Sequence, residues 1–378
     1  LYSTLAQLPE LSKEEKINST LQFMTELNRL GLTAVMDAGG GFQNFPEDYL
    51  ITDSLNKLGQ LTLRLPYFLF AQKKGSELAD YGRWVGMVDP GHPFTNGINE
   101  IDYRVEGGGE NLLAEAADFE NFLFPRPEFP PGMETRMKDI IQLLVKNHWP
   151  FRIHATYNES ITRDLNVIEE VSKETPLNGL VWIIDHAETI SEENMQRIKA
   201  LGGGIAIQHR MAYQGESFVH RYGKNAALST PPVKRMLEIG IPVGLGTDGT
   251  RVASYNPWLS LYWITTGKTI GGEQVMSKEN TLDRLTALKL YTTGGYSLIK
   301  ENGTKGKIKN DFYADLTILN NDYLTAADND IPAIYSLLTM VDGKIVYGSD
   351  EYKFFAPASK PVIPAWSPVI FYGGYQYK

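Results

Sequence analysis

The chain of 378 residues is 42% hydrophobic and carries 36 Lys and Arg against 45 Asp and Glu, a net charge of -9, with no cysteine. That size and apolar content suffice for one large domain or two smaller ones, while the acidic balance argues against the concentrated basic surface that nucleic acid or an anionic membrane would need. The lack of cysteine rules out disulfides, thiolate metal ligands and a cysteine nucleophile, so any metal must rest on histidine and carboxylates.

No window approaches the roughly 18 consecutive apolar residues of a membrane span, and the opening LYSTLAQL has neither the basic nor the apolar part of a signal peptide, which leaves the compartment open. The first segment, SKEEKINSTLQFMTELNRLG, sets Ser12 and Glu15 at capping-box spacing and ends at Gly31, which predicts a helix. LTAVMDAGGG follows as a short strand ending in Asp37 and a glycine turn, then PEDYLITDSLNKLG as a helix closed by glycine. The alternation continues with LTLRLPYFLFA as a strand, SELADYGRWVGMV as a helix, INEIDYRVE as a strand and METRMKDIIQLLVKNH as a long amphipathic helix, a period of about 30 residues. Four further strands, FRIHATY, LVWIIDHAE, GGIAIQH and IPVGLGTDG, are separated by SITRDLNVIEEVSKE, SEENMQRIKALG and STPPVKRMLEIG, making seven strands in all.

Strands alternating with helices predict parallel pairing, and a run this long predicts a (β/α)8 TIM-type barrel. A doubly wound sheet is the alternative, but no G-x-G-x-x-G or Walker sequence follows a strand. Seven strands are one short of eight, and the expectation is that barrel strand one lies upstream of residue 1. The expected division is a barrel over 1–304, the carboxyl part of a small β-sandwich domain over 305–350, and an aromatic tail over 351–378. The tail is expected to pack on the barrel or on a neighbouring copy, which leaves a homodimer open.

In such a barrel the carboxyl ends of the strands face one mouth. Of the six histidines, His154, His186 and His209 fall at consecutive predicted strand ends, and Asp248 ends the next strand. Two imidazoles and a carboxylate converging on one point suit Zn²⁺ or a similar divalent ion. A single histidine ending a strand is more often a satisfied polar residue; the recurrence across strands carries the reading. His92, His148 and His220 sit in a loop, a helix end and a helical segment, and are assigned no chemistry. On the strand INEIDYRVE, Asp102, Arg104 and Glu106 share a face by alternation, and Glu106, nearest the carboxyl end, is either an anionic metal ligand or a partner of Arg104 or the glycine loop.

FRIHATYN, WIIDHAETI, GGGIAIQHR and GIPVGLGTDG, together with TLDRLTALKLYTTGGYSLIKENGTKGKIKNDFYADLTILNNDY, resemble barrel strands five to eight and the return into the small β domain of the amidohydrolase superfamily, in its amidohydrolase 3 (YtcJ-like) group. The resemblance spans nearly the whole chain. It implies a metal-dependent hydrolase of C–N bonds in amides, N-acyl compounds, formamides or cyclic ureides. It further implies His154 and His186 as metal ligands and Asp248 as the general base that handles the proton of the attacking water, itself able to ligate. The family's H-x-H pair of strand one occurs nowhere in this sequence, in keeping with the strand expected upstream. The lysine that many relatives carry on strand four is also absent, which is where Glu106 would substitute.

Gln208 and His209 are positioned to hydrogen-bond a substrate carbonyl or its oxyanion. The long connection 107–132, rich in Phe and Pro, is read as a lid suited to a partly hydrophobic small molecule, or as a loop packed on the barrel rim. The alternative function is a barrel that binds a small molecule without catalysis.

Overall fold

The computed structural model describes residues 9–39, 43–91, 103–119, 122–123, 126, 128–249, 252–358 and 360–363, with 365, 367, 370 and 371. His92, Asp102 and the end of the aromatic tail, 372–378, lie outside them. The expected helix at the start is α1 (Lys13–Arg29), and its capping box is made on both sides: Ser12 N donates to Glu15 Oε2 at 2.7 Å and Glu15 N to Ser12 Oγ at 3.3 Å. After α2 (Leu50–Lys57), strands and helices alternate as β1 (Leu65–Leu69), α3 (Glu77–Trp84), β2 (Tyr103–Gly108), α4 (Met133–Lys146), β3 (Phe151–Ala155), α5 (Asn158–Glu174), β4 (Trp182–His186), α6 (Glu192–Leu201) and β5 (Gly204–Gln208). Then come α7 (Arg210–Tyr222), α8 (Lys224–Ala227), α9 (Val233–Ile239), β6 (Val243–Gly246) and α10 (Pro257–Thr266). Helix α10 is apolar around nearly its whole circumference, which hides it from a search for amphipathic periodicity.

The six strands form one parallel sheet in the order β1-β2-β3-β4-β5-β6. A doubly wound sheet reverses its strand order at a switch point; this one never does, so successive helices wind in one sense and the sheet curls as barrel sheets do. Strands β3 and β4 are buried at every residue, as expected of a parallel sheet covered on both faces. Ile140, Ile141 and Leu144 of α4 and Leu165, Ile168 and Val171 of α5 bury the helical layer against them.

The predicted strand LTAVMD lies parallel to β1 as isolated bridges, Ala34 with Arg64 and Asp37 with Tyr67, rather than as a regular strand. Pro66 explains the break. Arg64 N donates to Thr33 O, Val35 N to Arg64 O, Asp37 N to Pro66 O and Phe68 N to Asp37 O, and the one rung missing from that parallel ladder is the donation from residue 66, where proline has no N–H.

After α11 (Arg284–Lys289) and α12 (Gly295–Leu298) the chain enters a three-stranded antiparallel sheet, β7 (Leu316–Leu319), β8 (Ser336–Val341) and β9 (Lys344–Gly348). Asp342 and Gly343 at the β8–β9 turn have φ of 50° and 75°, the paired positive values of a type I′ hairpin. Arg64, at the amino end of β1, ties this sheet to the larger one: Nε and Nη2 donate to Asp315 Oδ2 and Oδ1 at 2.7 and 3.0 Å. Residues 360 and 361 lie along α1, where Gln22 and Asn18 donate to their carbonyls. Among the described residues no helix is long and apolar enough to cross a membrane.

Candidate metal centre

His154 is the fourth residue of β3 and His186 the last of β4, and the ring centroids stand 4.2 Å apart. The strand register alone would separate them. His154 pairs with Asp185, and Ala155 with His186, so regular alternation would send the two imidazoles to opposite faces of the sheet. His186 and Ala187 adopt φ of 76° and 52°, left-handed values that non-glycine residues rarely take, and the chain turns there so that the second ring comes back beside the first.

Glu110 supplies the carboxylate. Its Oε2 lies 3.1 Å from His186 Nε2 and 3.5 Å from His154 Nδ1, and one ligand atom from each of the three residues falls within 4.8 Å of the others. Glu106, read as either a ligand or a partner of Arg104, is the latter: its Oε2 accepts from Arg104 Nε at 3.0 Å, and Arg104 continues to Glu301 at 2.6 Å. Depth along the strand separates it from the imidazoles. Gly108 pairs with Phe151, so Glu106 lies level with the residues before β3, whereas the Glu110 carbonyl accepts from His154 N at 3.0 Å; Glu106 is itself the extra residue of a bulge, Tyr67 pairing with Val105 and Phe68 with Gly107. Beyond it the strand persists through glycines because a Cβ at Gly107 would collide with the Pro150 carbonyl, and one at Gly109, at φ +125°, with that of Arg152.

The electrostatics follow from burial and proximity. Burial alone would raise the Glu110 carboxyl, but the adjacent His154 and His186 hold it well below the usual carboxylate range. For His154 burial works downward and loses to Glu110 and Asp118, which raise the imidazole to about 10. His186, buried beside the His154 cation, falls to about 3. Behind His154, Asp118 accepts backbone hydrogen bonds from Thr156 and Tyr157 at 2.9 to 3.0 Å and places Oδ1 3.3 Å from His154 Nε2. A carboxylate behind a ligating imidazole orients the ring and increases its basicity. Below the rings, Arg152 and Asp185 form a buried two-pronged ion pair, with Nε to Oδ2 at 2.7 Å, that joins β3 to β4.

Further along the mouth, Asp248 has φ 51° just past β6, and its carboxyl is raised to about 6 by burial and by the charge of Glu110, against the pull of Arg210. Arg210 Nη2 lies 3.6 Å from Asp248, and Nη1 lies 3.9 Å from Glu188 and donates to Thr156 Oγ1 at 3.3 Å. The two expected substrate-binding residues are both buried with protein partners. Gln208 Nε2 donates to Glu188 Oε1 at 2.9 Å, and His209 Nδ1 shares a hydrogen bond of 2.6 Å with Ser260 Oγ.

A profile described as the amidohydrolase family matches residues 1–347. The chain belongs to that family. YtcJ of Bacillus subtilis (strain 168), an amidohydrolase by name, is 25% identical over 198 residues, covering 52% of this chain and 37% of YtcJ. The N-substituted formamide deformylase of Arthrobacter pascens is 27% identical over 198 residues, covering 52% and 36%. This amidohydrolase chain thus spans little more than a third of the length of those two relatives. In fold, it is similar to an uncharacterized metal-dependent hydrolase from Pyrococcus horikoshii OT3, with a TM-score of 0.62 at 19% identity over 84% of this chain and 62% of the other.

The three side chains fit a divalent ion on their own evidence. Among the described residues, His186 Nδ1 is buried and without a hydrogen-bond partner, and the His154 nitrogens meet only the Glu110 and Asp118 carboxylates, at 3.5 and 3.3 Å, a sparse arrangement for buried imidazoles that nothing ligates. Nitrogen and carboxylate oxygen are the donors zinc takes when thiolates are absent. Of the residues here that the sequence did not single out, Glu110 carried a weak signal, a carboxylate directly behind the glycines that end a strand. Asp118 and Arg210 carried none.

Proposed function

We propose that this amidohydrolase chain is the greater part of a (β/α)8 barrel that hydrolyses C–N bonds of small molecules, of the amide, N-acyl, formamide or cyclic ureide class, with a divalent ion, zinc by its donor set, held by Glu110, His154 and His186. The division into a barrel over 1–304, a small β domain over 305–350 and a tail over 351–378 goes with this reading. One observation carries it: ligating side chains from three successive strand ends meet at one point, with two buried imidazoles whose polar partners among the described residues are the carboxylates of Glu110 and Asp118.

The chemistry such an ion supplies is the acidification of water and the polarisation of a carbonyl. The chain's own groups do the rest. Asp118 holds the His154 ring by its far nitrogen. Asp248, part-exposed at the mouth with 31% of its side chain accessible, takes the proton from the attacking water and passes it to the leaving nitrogen. Arg210, within 3.6 Å, keeps that carboxylate turned toward the mouth. Burial of the strand ends excludes bulk water from the imidazoles, each of which is less than 5% exposed.

Elemental analysis of the chain after addition of zinc and dialysis, beside hydrolysis of a panel of N-acyl, formamide and ureide compounds, tests the reading. The expected result is about one ion per chain, lost in His186→Ala, and turnover of at least one class. No retained ion and no turnover would overturn it.

A further inference from the structure

Beyond the metal ligands, Glu188 and Gln208 are a deeply buried polar pair of the mouth that the hydrolytic mechanism leaves unused. Glu188 is 1% exposed, two residues past the end of β4, and Gln208 is 5% exposed at the end of β5. The amide nitrogen of Gln208 is committed to Glu188 Oε1, which fixes the amide's orientation, because turning it over would set oxygen against oxygen. With Glu188 ionised, two acceptors remain, Glu188 Oε2 and Gln208 Oε1, both buried and without a hydrogen-bond partner among the described residues. Glu188 follows the same strand end as His186 and Gln208 closes the neighbouring strand, so the pair borders the metal-ligand cluster.

We propose that Glu188 and Gln208 form a subsite that takes an N–H donor of an uncharged substrate beside the bond to be cleaved. The proposal rests on the reading of this mouth as a hydrolase site and narrows its substrate class. Two adjacent unpaired acceptors call for a donor, and a secondary amide or ureide presents one on the nitrogen of the scissile bond itself. Charge selects against the acidic members of the class. Arg210 already faces both Glu188 and Asp248, so a substrate carboxylate entering at this corner would meet two carboxylates sharing that guanidinium. N-acyl amino acids with a free carboxylate are therefore poor candidates, and neutral N–H amides and ureides good ones.

The test compares N-benzylacetamide with benzyl acetate, which differ by N–H against oxygen at nearly the same shape. Binding is measured by calorimetry on the full chain treated with chelator, so that neither compound is consumed. The wild type is expected to bind the amide at least about tenfold more tightly, since a site built around a donor discriminates against the analogue lacking it. In Glu188→Ala the two affinities should come within about twofold; if that variant does not fold, Gln208→Met, which removes the other acceptor, carries the same expectation. A wild-type ratio near one, binding of neither compound, or a ratio unchanged by the substitution overturns the subsite. Turnover by the zinc-loaded chain is read separately: its absence overturns the hydrolase reading, while the binding ratio still decides the subsite.

Discussion

Two buried arginines stand at opposite ends of the same parallel sheet and are treated in opposite ways. Arg64, at the amino end of β1, is 1% exposed and grips Asp315 with two hydrogen bonds, has Asp342 at 3.9 Å and lies over the Tyr313 ring at 4.3 Å. Arg210, at the carboxyl end of β5, is 4% exposed, yet its contacts to Thr156, Asp248 and Glu188 run from 3.3 to 3.9 Å. Burying a guanidinium costs free energy that close, two-pronged pairing recovers. At the base two short hydrogen bonds to one carboxylate supply much of that recovery, and the residue holds the two sheets together. In the mouth it is partial, and loosely held charges and left-handed backbone at His186 and Asp248 gather at that one end, with His186 Nδ1 buried and without a hydrogen-bond partner among the described residues. The base is arranged for stability; the mouth is not.

Breaking the satisfied end should cost the most. Arg64→Met leaves the half-buried Asp315 without its cation and is expected to lower stability by about 3 kcal/mol, the lower end of the usual cost of removing one partner of a buried pair. Urea unfolding monitored by circular dichroism checks this, and hydrolysis per folded molecule should not change. Asp248→Asn keeps the shape of the mouth and removes the base, so turnover should fall by about 10² while zinc is retained; wild-type turnover would make Asp248 structural. Arg210→Met sharpens the comparison. Its stability loss should be only about 1–2 kcal/mol, because the contacts given up are long, whereas hydrolysis falls more than about tenfold as Asp248 loses its anchor. Were it as destabilising as Arg64→Met, the contrast between the two ends would be wrong.

The smallest effect concerns pH. Burial lowers the His209 imidazole to about 4, against about 6.5 in an unfolded chain. Above pH 6.5 both states are neutral and its contribution to stability is fully present. As pH falls from 6.5 to about 4, the unfolded state takes a proton that the native state refuses, so stability declines across that window and levels below it. His209→Asn should unfold in urea with a shallower acid dependence between pH 6.5 and 4 than the wild type. Equal slopes would mean that His209 is not held neutral.

Much of the fold was legible in the sequence because its cues are local. Helix α1 was announced by Ser12 and Glu15, the β8–β9 hairpin by Asp342-Gly343, and each strand of the sheet by an apolar run bounded by turn residues. His154 and His186 could be placed at strand ends for the same reason. Where the structure departs from that reading, the reason is local. Pro66 removed a rung and left residues 33–37 as bridges, and Glu106 sits too far down β2 to meet the imidazoles, which Glu110 reaches from just past the strand's end.

Hydrophobic periodicity and turn chemistry by themselves determined that strands and helices alternate, and where each strand gives out, because those preferences act within a few residues. Which side chains meet at the strand ends was decided by the tertiary structure alone. Asp118 reaches His154 from 36 residues away, Arg210 meets Thr156 across 54 and Asp248 across 38. Such meetings depend on the sheet's register and on left-handed turns at His186, Ala187 and Asp248, and no spacing along the chain encodes them.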